Sequence, residues 1–441
     1  MAALEDIARR VCEMADGVEA QARASRQRLG LTRFANSFIH QHHGEDTTTI
    51  SVKLAVDGKV ASASSTDSSD QGLARLVEDA KAAAELQPID AHWPGVAEPT
   101  TVPDLDKRSE ATAQALPSAR ADGVAAFIGA APDLTAAGYL DTSVEEAAVA
   151  TTGRQQVSGG ATRATLDGIH RTADSAGNGH QTSIDFSELD AAAAGARAAD
   201  LARRGQEPAD LEPGEYEVVL SPECVATIAI FLASYGFGGQ SYLDGQSFVE
   251  LGERQFDAAF QLVDDPLDPR TIALPFDGDG TPKKTLPLVE EGVSRAIAHD
   301  RRTGLRAHAE STGHAVPGSY FGPFPTSVVV GAGSTPHDDL VAGVDRGVYV
   351  STFNYCRILD PRTQVVTGLT RNGTFLIENG EVTKPLTNLR FTQSFLKALG
   401  EGAILEIGDD QRYADSEFGP GVVIAPSMRL ASWHFTGGAR G

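Results

Sequence analysis

Residues 215–239 read EYEVVLSPECVATIAIFLASYGFGG, a strand, an abrupt turn and a helix in immediate succession. Tyr216, Val218 and Val219 suit an extended run. Ser221 then sits where a helix N-cap belongs, Pro222 fits the first helical position, and Glu223 complements the positive end of the helix dipole. Val225, Ile228, Leu232 and Tyr235 follow at helical spacing. This strand–helix unit opens the second half of the chain and sets the reading of both halves.

Downstream, short β-branched runs such as TSVVVGAG, GVYVSTFNYC, GTFLIENGEV and GVVIAPSMRL are separated by Gly, Pro and Asp turns. They predict a largely antiparallel sheet or barrel-like core in which helices are the minority. Upstream, residues 1 to about 30 read as one helix. LTRFANSFIHQHHGEDTTTISVKLAVDGKVASAS alternates apolar and polar residues, with turns expected at Gly44–Asp46 and at Asp57–Gly58. Asp70 can cap a second helix through QGLARLVEDAKAAAEL, ended by Pro88, and Asp90 to Leu116 reads as a connector. A third helix and strands including GRQQVSGGATRATLDGIHRTADSAG come next. Phe186 to Gly205 reads as a helix capped by Ser187. Pro208 to Pro213 marks the best boundary. The expected fold class is therefore α+β, with an N-terminal α/β domain over residues 1–207 and a mainly antiparallel, β-rich C-terminal domain over 208–441. No fixed-period repeat or low-complexity tract interrupts it.

Length and composition narrow the function. A chain of 441 residues suggests two domains or three. Sixty acidic against 37 basic residues give a net charge of −23, which repels a phosphate backbone and argues against nucleic-acid binding. No run approaches the ~20 apolar residues of a membrane span, and the N-terminus lacks signal-peptide order, so a cytoplasmic location is expected. Cys12, Cys224 and Cys356 are far apart and odd in number, which excludes a disulfide framework or a C-x-x-C site. Neither a G-x-S-x-G elbow nor a phosphate-binding G-x-x-x-x-G-K-[ST] loop occurs, and GFGGQSYLDGQS reads as a flexible glycine loop.

Six segments carry a resemblance: RFANSFIHQ (33–41), GLARLVEDAKAAAE (72–85), EYEVVLSPE (215–223), PFDGDGTPKKTLPLVEEG (275–292), STGHA (311–315) and TGLTRNGTFLIENGEV (367–382). In order and spacing they resemble the TldD/PmbA family, metalloprotease-related proteins also described as modulators of DNA gyrase. The resemblance implies two chain types. In the TldD type, the helix after the VVLSPE-like strand carries H-E-x-x-x-H, whose histidines hold zinc while the glutamate activates water, with a cysteine from late in the chain assisting. The TldE, or PmbA, type lacks the motif and pairs with a TldD-type chain to cleave extended or unfolded peptides.

No histidine occurs between His180 and His299, and Thr227, Ile230, Phe231 and Ala233 offer no zinc donor. By resemblance this chain is the TldE type: no catalytic residue and no cofactor of its own, zinc in the partner, an extended peptide as substrate, and homodimerisation open to the chain in isolation. Two other readings stay open, a stand-alone regulatory or binding protein and an active peptidase that matures a peptide-derived natural product through an unrecognised site.

Weaker metal candidates are His308, Glu310 and His314 in RAHAESTGHAVPG, and Cys356 near the region that supplies the family's cysteine. H-x-E-x-x-x-H does not put both histidines on one helical face, so a structural or peptide-contacting role is favoured for His314. Gly238 and Gly239 are further peptide-binding or structural candidates. His40 and His42 share a strand face without an evident third ligand. Asp277 and Asp279 begin a D-x-D-G pattern that fails as a calcium loop, since its twelfth position is Leu288, and is better read as a turn.

Overall fold

The protein is described by a computed structural model over residues 1–319 and 321–438. Helix α1 (Ala2–Met14) leads into β1 (Glu19–Ala35), β2 (Phe38–Val56) and β3 (Lys59–Ser65). After α2 (Asp70–Glu85) comes a long connector, the single turn α3 (Glu110–Ala113) and α4 (Pro117–Gly129). Strands β4 (Thr135–Thr151), β5 (Gln156–Arg171) and β6 (Ala176–Ser183) and helix α5 (Ala191–Arg204) complete the N-terminal part. The six strands form one antiparallel sheet in the order β3-β2-β1-β4-β5-β6.

Alternation along these strands decides what each face meets. Ala20, Ala22 and Ala24 of β1 and Ala148 and Ala150 of β4 bury against α1 and α2. Phe34, Leu140 and Leu166 bury on the same face among residues of α4 and α5. Among the described residues no helix of the N-terminal part lies on the opposite face; there Ala147, Val149 and Val157 pack on Phe276. Strand β6 shows both faces within four residues. A Cβ on Gly177 would lie 2.2 Å from the Ala198 carbonyl and one on Gly179 2.1 Å from that of Ala194, so only glycine lets α5 sit this close. Asn178 and His180 point the other way, toward the C-terminal part.

That part begins with β7 (Gly214–Leu220), α6 (Pro222–Tyr235) and the short α7 (Gly239–Leu243). Next come β8 (Leu262–Asp264), β9 (Leu286–Glu290), β10 (Val293–Ser294), α8 (Arg301–Arg306), β11 (Val328–Val330) and α9 (His337–Ala342). The chain continues through β12 (Arg346–Asp360), β13 (Val365–Glu378), β14 (Glu381–Pro385), β15 (Leu389–Ser394) and α10 (Phe395–Ala398). It ends with β16 (Ile404–Ile407), β17 (Arg412–Ala414), β18 (Val423–Ala425) and β19 (Met428–Gly438).

One sheet runs β12-β7-β19-β15-β13-β14, and because β12 also pairs with β13, five of its strands close into a barrel. Phe353, Phe391 and Trp433 stack together in its core, the first two with ring centroids 4.6 Å apart. The other sheet runs β10-β9-β8-β11-β18-β17. Helix α6 packs against β7 and β12 of the barrel and against β11, β17 and β18 of the second sheet, and every residue from Pro222 to Ser234 is buried. A helix covered on all sides must be largely apolar on all sides, and this one carries only Thr227 and Ser234 as buried polar side chains beyond its first turn.

The fold class is α+β as expected, with a β-rich C-terminal domain, but several local readings need correction. Residues 1 to about 30 are not one helix: α1 ends at Met14, Gly17 takes φ +82°, and β1 starts at Glu19. Gly44–Asp46 lies inside β2 rather than in a turn; the hairpin reverses at Asn36–Ser37, both with positive φ. The reversal at Asp57–Gly58 is where it was expected. Asp190, not Ser187, caps α5, because Phe186–Glu188 forms a separate 3-10 turn. GFGGQSYLDGQS is not all loop either, since the short helix α7 occupies Gly239–Leu243 within it.

Candidate functional site

Between the helix-free face of the N-terminal sheet and the barrel lies a polar cleft of about 830 Å³. Asp167 of β5 and Asn178 of β6 form one wall, and Thr352 and Asn354 of β12 and Arg371 of β13 form another. Thr227 of α6 and the Asp415–Glu417 segment after β17 complete it. One hydrogen bond ties the walls together, the Ser351 hydroxyl donating to Asn178 Oδ1 at 3.0 Å, and within the barrel wall Arg371 donates to Asn354 Oδ1 at 3.1 Å. A neighbouring hollow of about 910 Å³ is lined by His180, the end of β6, and Arg412 and Tyr413 of β17.

The ground beneath the cleft is charged. Glu223, fully buried at the start of α6, accepts from Arg412 Nη2 at 2.7 Å, and Arg197 of α5 lies 3.6 Å away. Burial alone would push this carboxyl up; the two guanidinium charges outweigh it and hold it down at about 2. The Ser221 hydroxyl reaches the Ser351 carbonyl and Glu223 instead of capping the helix, so Ser221 occupies the cap position without making the cap bond. Asp415 has the opposite balance: burial, with the carboxylates of Asp167 and Glu223 and against the influence of His180, raises it to about 6. Asp167 and His180 are cross-strand partners, with His180 Nδ1 3.7 Å from Asp167 Oδ1.

Residues 213–437 match the PmbA/TldA metallopeptidase C-terminal domain, and residues 20–84 match the PmbA/TldA metallopeptidase domain 1. The chain belongs to the PmbA/TldD family. Among curated relatives it is similar to the Metalloprotease TldD homolog of Buchnera aphidicola, 24% identical over 49% of this chain and 47% of that one. The TldD homolog of Haemophilus influenzae is 27% identical over 31% and 29%. The chain thus spans about half the length of the first of these relatives and less of the second. The fold matches TldE from Thermococcus kodakarensis (TM-score 0.86, 20% identity, 98% and 99% of the two chains). It also matches a candidate modulator of a DNA gyrase from Thermotoga maritima (TM-score 0.87, 18% identity, 98% and 100%).

PmbA/TldD metallopeptidase chemistry implies a metal, and the side chains on α6 of this family member do not fit one. Ile230 and Phe231 are hydrocarbon and buried, and Tyr235 packs edge-on to Phe321 at 5.3 Å. Phe231 meets Tyr235, Phe395 and Phe418 at 5.6–5.9 Å, so aromatic rings fill the space beside the second half of the helix. Glu223, the helix's only carboxylate, is committed to two arginines. Among the described residues no three His, Cys, Asp or Glu side chains are placed to hold a metal ion.

The residues singled out from sequence do not converge. His308 and Glu310 are exposed around the turn after α8, whereas His314 is buried. His314 Nε2 meets Asp264 Oδ2 at 2.9 Å and Nδ1 meets Thr312 Oγ1 at 2.8 Å. Burial opposes ionisation of Asp264, but His314 and the Ser327 N–H keep its carboxyl below the usual range. Cys356 is buried, and burial pushes its thiol well up, away from the thiolate a metal requires. Gly238 and Gly239 are buried against the strip before α8: Gly239 N–H donates to the Ala298 carbonyl, and a Cβ there would fall 2.6 Å from His299 Nδ1. His42 Nδ1 pairs with Thr32 Oγ1 at 2.9 Å, and His40 is exposed on the same strand. Asp277 is buried and organises its turn, accepting from the N–H groups of Asp279, Thr281 and Ala315. Asp167 and Asp415 of the cleft and His180 of the neighbouring hollow went unread in the sequence; only the alternation in AGNGHQTS, small residues against polar ones, signals that β6 has a polar buried face.

Proposed function

We propose that this chain is the non-catalytic, TldE-type subunit of a heterodimeric zinc metalloprotease, working on extended or unfolded peptides in the cytoplasm. One observation carries the reading: the helix after the VVLSPE strand, where the family's H-E-x-x-x-H is expected, is a core helix without histidine, whose one carboxylate is held by two arginines and whose one thiol, Cys224, is buried and pushed well up, away from the thiolate that zinc needs. Its aromatic half and its arginine-locked Glu223 serve packing. Zinc and the water-activating glutamate belong to the partner chain, where the metal lowers the pKa of bound water and polarises the scissile carbonyl. This subunit completes the peptide chamber, holding substrate through main-chain and polar contacts that tolerate varied sequence. The polar cleft, with amide and hydroxyl side chains on facing walls, suits that role.

Co-expression with the H-E-x-x-x-H relative from the same genome tests the pairing. Size-exclusion chromatography with light scattering should find one mixed species of both chains. Separate elution of the two proteins under all salt conditions would contradict the proposal.

A further inference from the structure

Arg171 of β5 and Arg371 of β13 line the cleft from its two walls, and both are exposed. Among the described residues no carboxylate lies within ion-pair distance of either, and Arg371 has the Asn354 amide alone as partner. Water satisfies an exposed arginine, so the telling feature is the backbone that places the pair. The hairpin of β12 and β13 is bulged on both strands beside the cleft. Between Val350 and Thr352 the β13 side carries one residue more, and between Asn354 and Arg357 the β12 side does. Asn372 and Tyr355, inside these bulges, take φ of +56° and +57°, a region costly for a side chain as bulky as tyrosine. A regular strand turns every second residue to a given side. Here residues 352–354 and 371–374 line the cleft consecutively, so the bulges bring Arg371, Asn354 and Asn372 to it together.

Arg171 arrives from the N-terminal sheet. It pairs with Ala176, on the same face as Asn178, and Asn178 accepts from Ser351, the neighbour of Thr352, which stands opposite Arg371. These steps are each about 4–7 Å, so the two arginines flank one stretch of the cleft. Asp167, Asp174, Asp415 and Glu417 line the cleft as well. Asp174 already accepts from the Thr172 hydroxyl and the Glu207 N–H, and Glu417 pairs with Arg357 at 2.9 Å. Asp415 feels the charge of Asp167, itself about 13 Å from Arg171 by strand rise. Such a setting repels a polyanion but admits a single negative group beside the arginines. We infer that this end of the cleft binds a carboxylate of an extended peptide, an inference that rests on reading the cleft as peptide-holding. Guanidinium forks match a carboxylate with paired N–H donors, and the amides of Asn354 and Asn372 offer both a donor and an acceptor to peptide main chain.

The carboxylate can come from a chain terminus or an acidic side chain, and calorimetric titration of the full chain with three N-acetylated tetrapeptides separates them. The first has neutral side chains and a free C-terminus, the second is its C-amidated form, and the third is C-amidated and contains one glutamate. The expected result is that the second does not bind, while the first, the third or both do. Affinity should fall at least about tenfold in Arg371→Gln and in Arg171→Gln, and hold in Arg75→Gln, which removes an exposed arginine of α2 outside the cleft. Circular dichroism melting checks that all three variants are folded. Equal binding of the neutral amidated probe, no binding of any probe, unchanged binding by both folded cleft variants, or an equal loss in Arg75→Gln would overturn the inference. Co-expression with the metalloprotease subunit keeps the two claims separate: a wild-type chain that binds the probes but never pairs removes the subunit reading alone, and a pair that forms while no probe binds removes this inference alone.

Discussion

At the residue scale, Glu223 and Asp415 show how neighbours set the behaviour of two carboxylates in one region. Glu223 is held at about 2 by Arg412 and Arg197, below its unfolded value of about 4.3. Its contribution to stability is therefore fully present above about pH 4.3 and is lost as pH falls toward about 2. Glu223→Ala strands two guanidinium groups and should lower stability by roughly 3 kcal/mol or more at pH 7, with a smaller deficit at pH 2.5, as urea melts at the two pH values would reveal. Asp415 has the opposite sign. Its folded value of about 6 lies above the unfolded one, so stability declines as pH rises from about 4 to 6. Asp415→Asn should raise the stability of the free chain at pH 7 by about 1 kcal/mol, allowing for partial exposure. A drop in melting temperature would contradict that. Neither carboxylate could be paired with its neighbours from sequence, since Glu223 and Arg412 are 189 positions apart.

At the element scale, the lesson concerns small residues. Strand β1 was read as helix because Ala20, Ala22 and Ala24 are weak hydrophobic markers and alanine favours helices. Their period-2 burial against α1 and α2 overrode that preference. Gly44 was read as a turn because His43-Gly44-Glu45-Asp46 looks like punctuation, yet it pairs with Gly30 in mid-strand and a Cβ there meets nothing within 4 Å. Gly44→Ala should therefore change the unfolding free energy by no more than about 0.5 kcal/mol. Gly179→Ala, whose Cβ would collide with the backbone of α5, should cost about 3 kcal/mol. Comparable effects of the two in the same denaturation assay would refute this account of β6. The strand–helix unit at residues 215–239 was legible because its local signals agree. The burial of α6 on all sides went unread, because the helical spacing names only Val225, Ile228, Leu232 and Tyr235 as its apolar positions, although no charge lies between Glu223 and Asp244.

At the scale of the whole molecule, the division into an α+β part and a β-rich part followed from the changing hydrophobic period along the chain. The barrel closure and the cleft did not, because both depend on pairings between distant segments: β12 with β13 and β7, and β6 brought to face the barrel. Helix α6 lies at the centre of this arrangement, and what it lacks defines the proposed role. The most direct test is to measure zinc content and peptidase activity of the purified chain, alone and paired with its H-E-x-x-x-H relative, on an unfolded peptide. The account predicts a lone chain that is metal-free and inert and a pair that holds stoichiometric zinc and cuts. A lone chain that binds stoichiometric zinc and cleaves the peptide would contradict it.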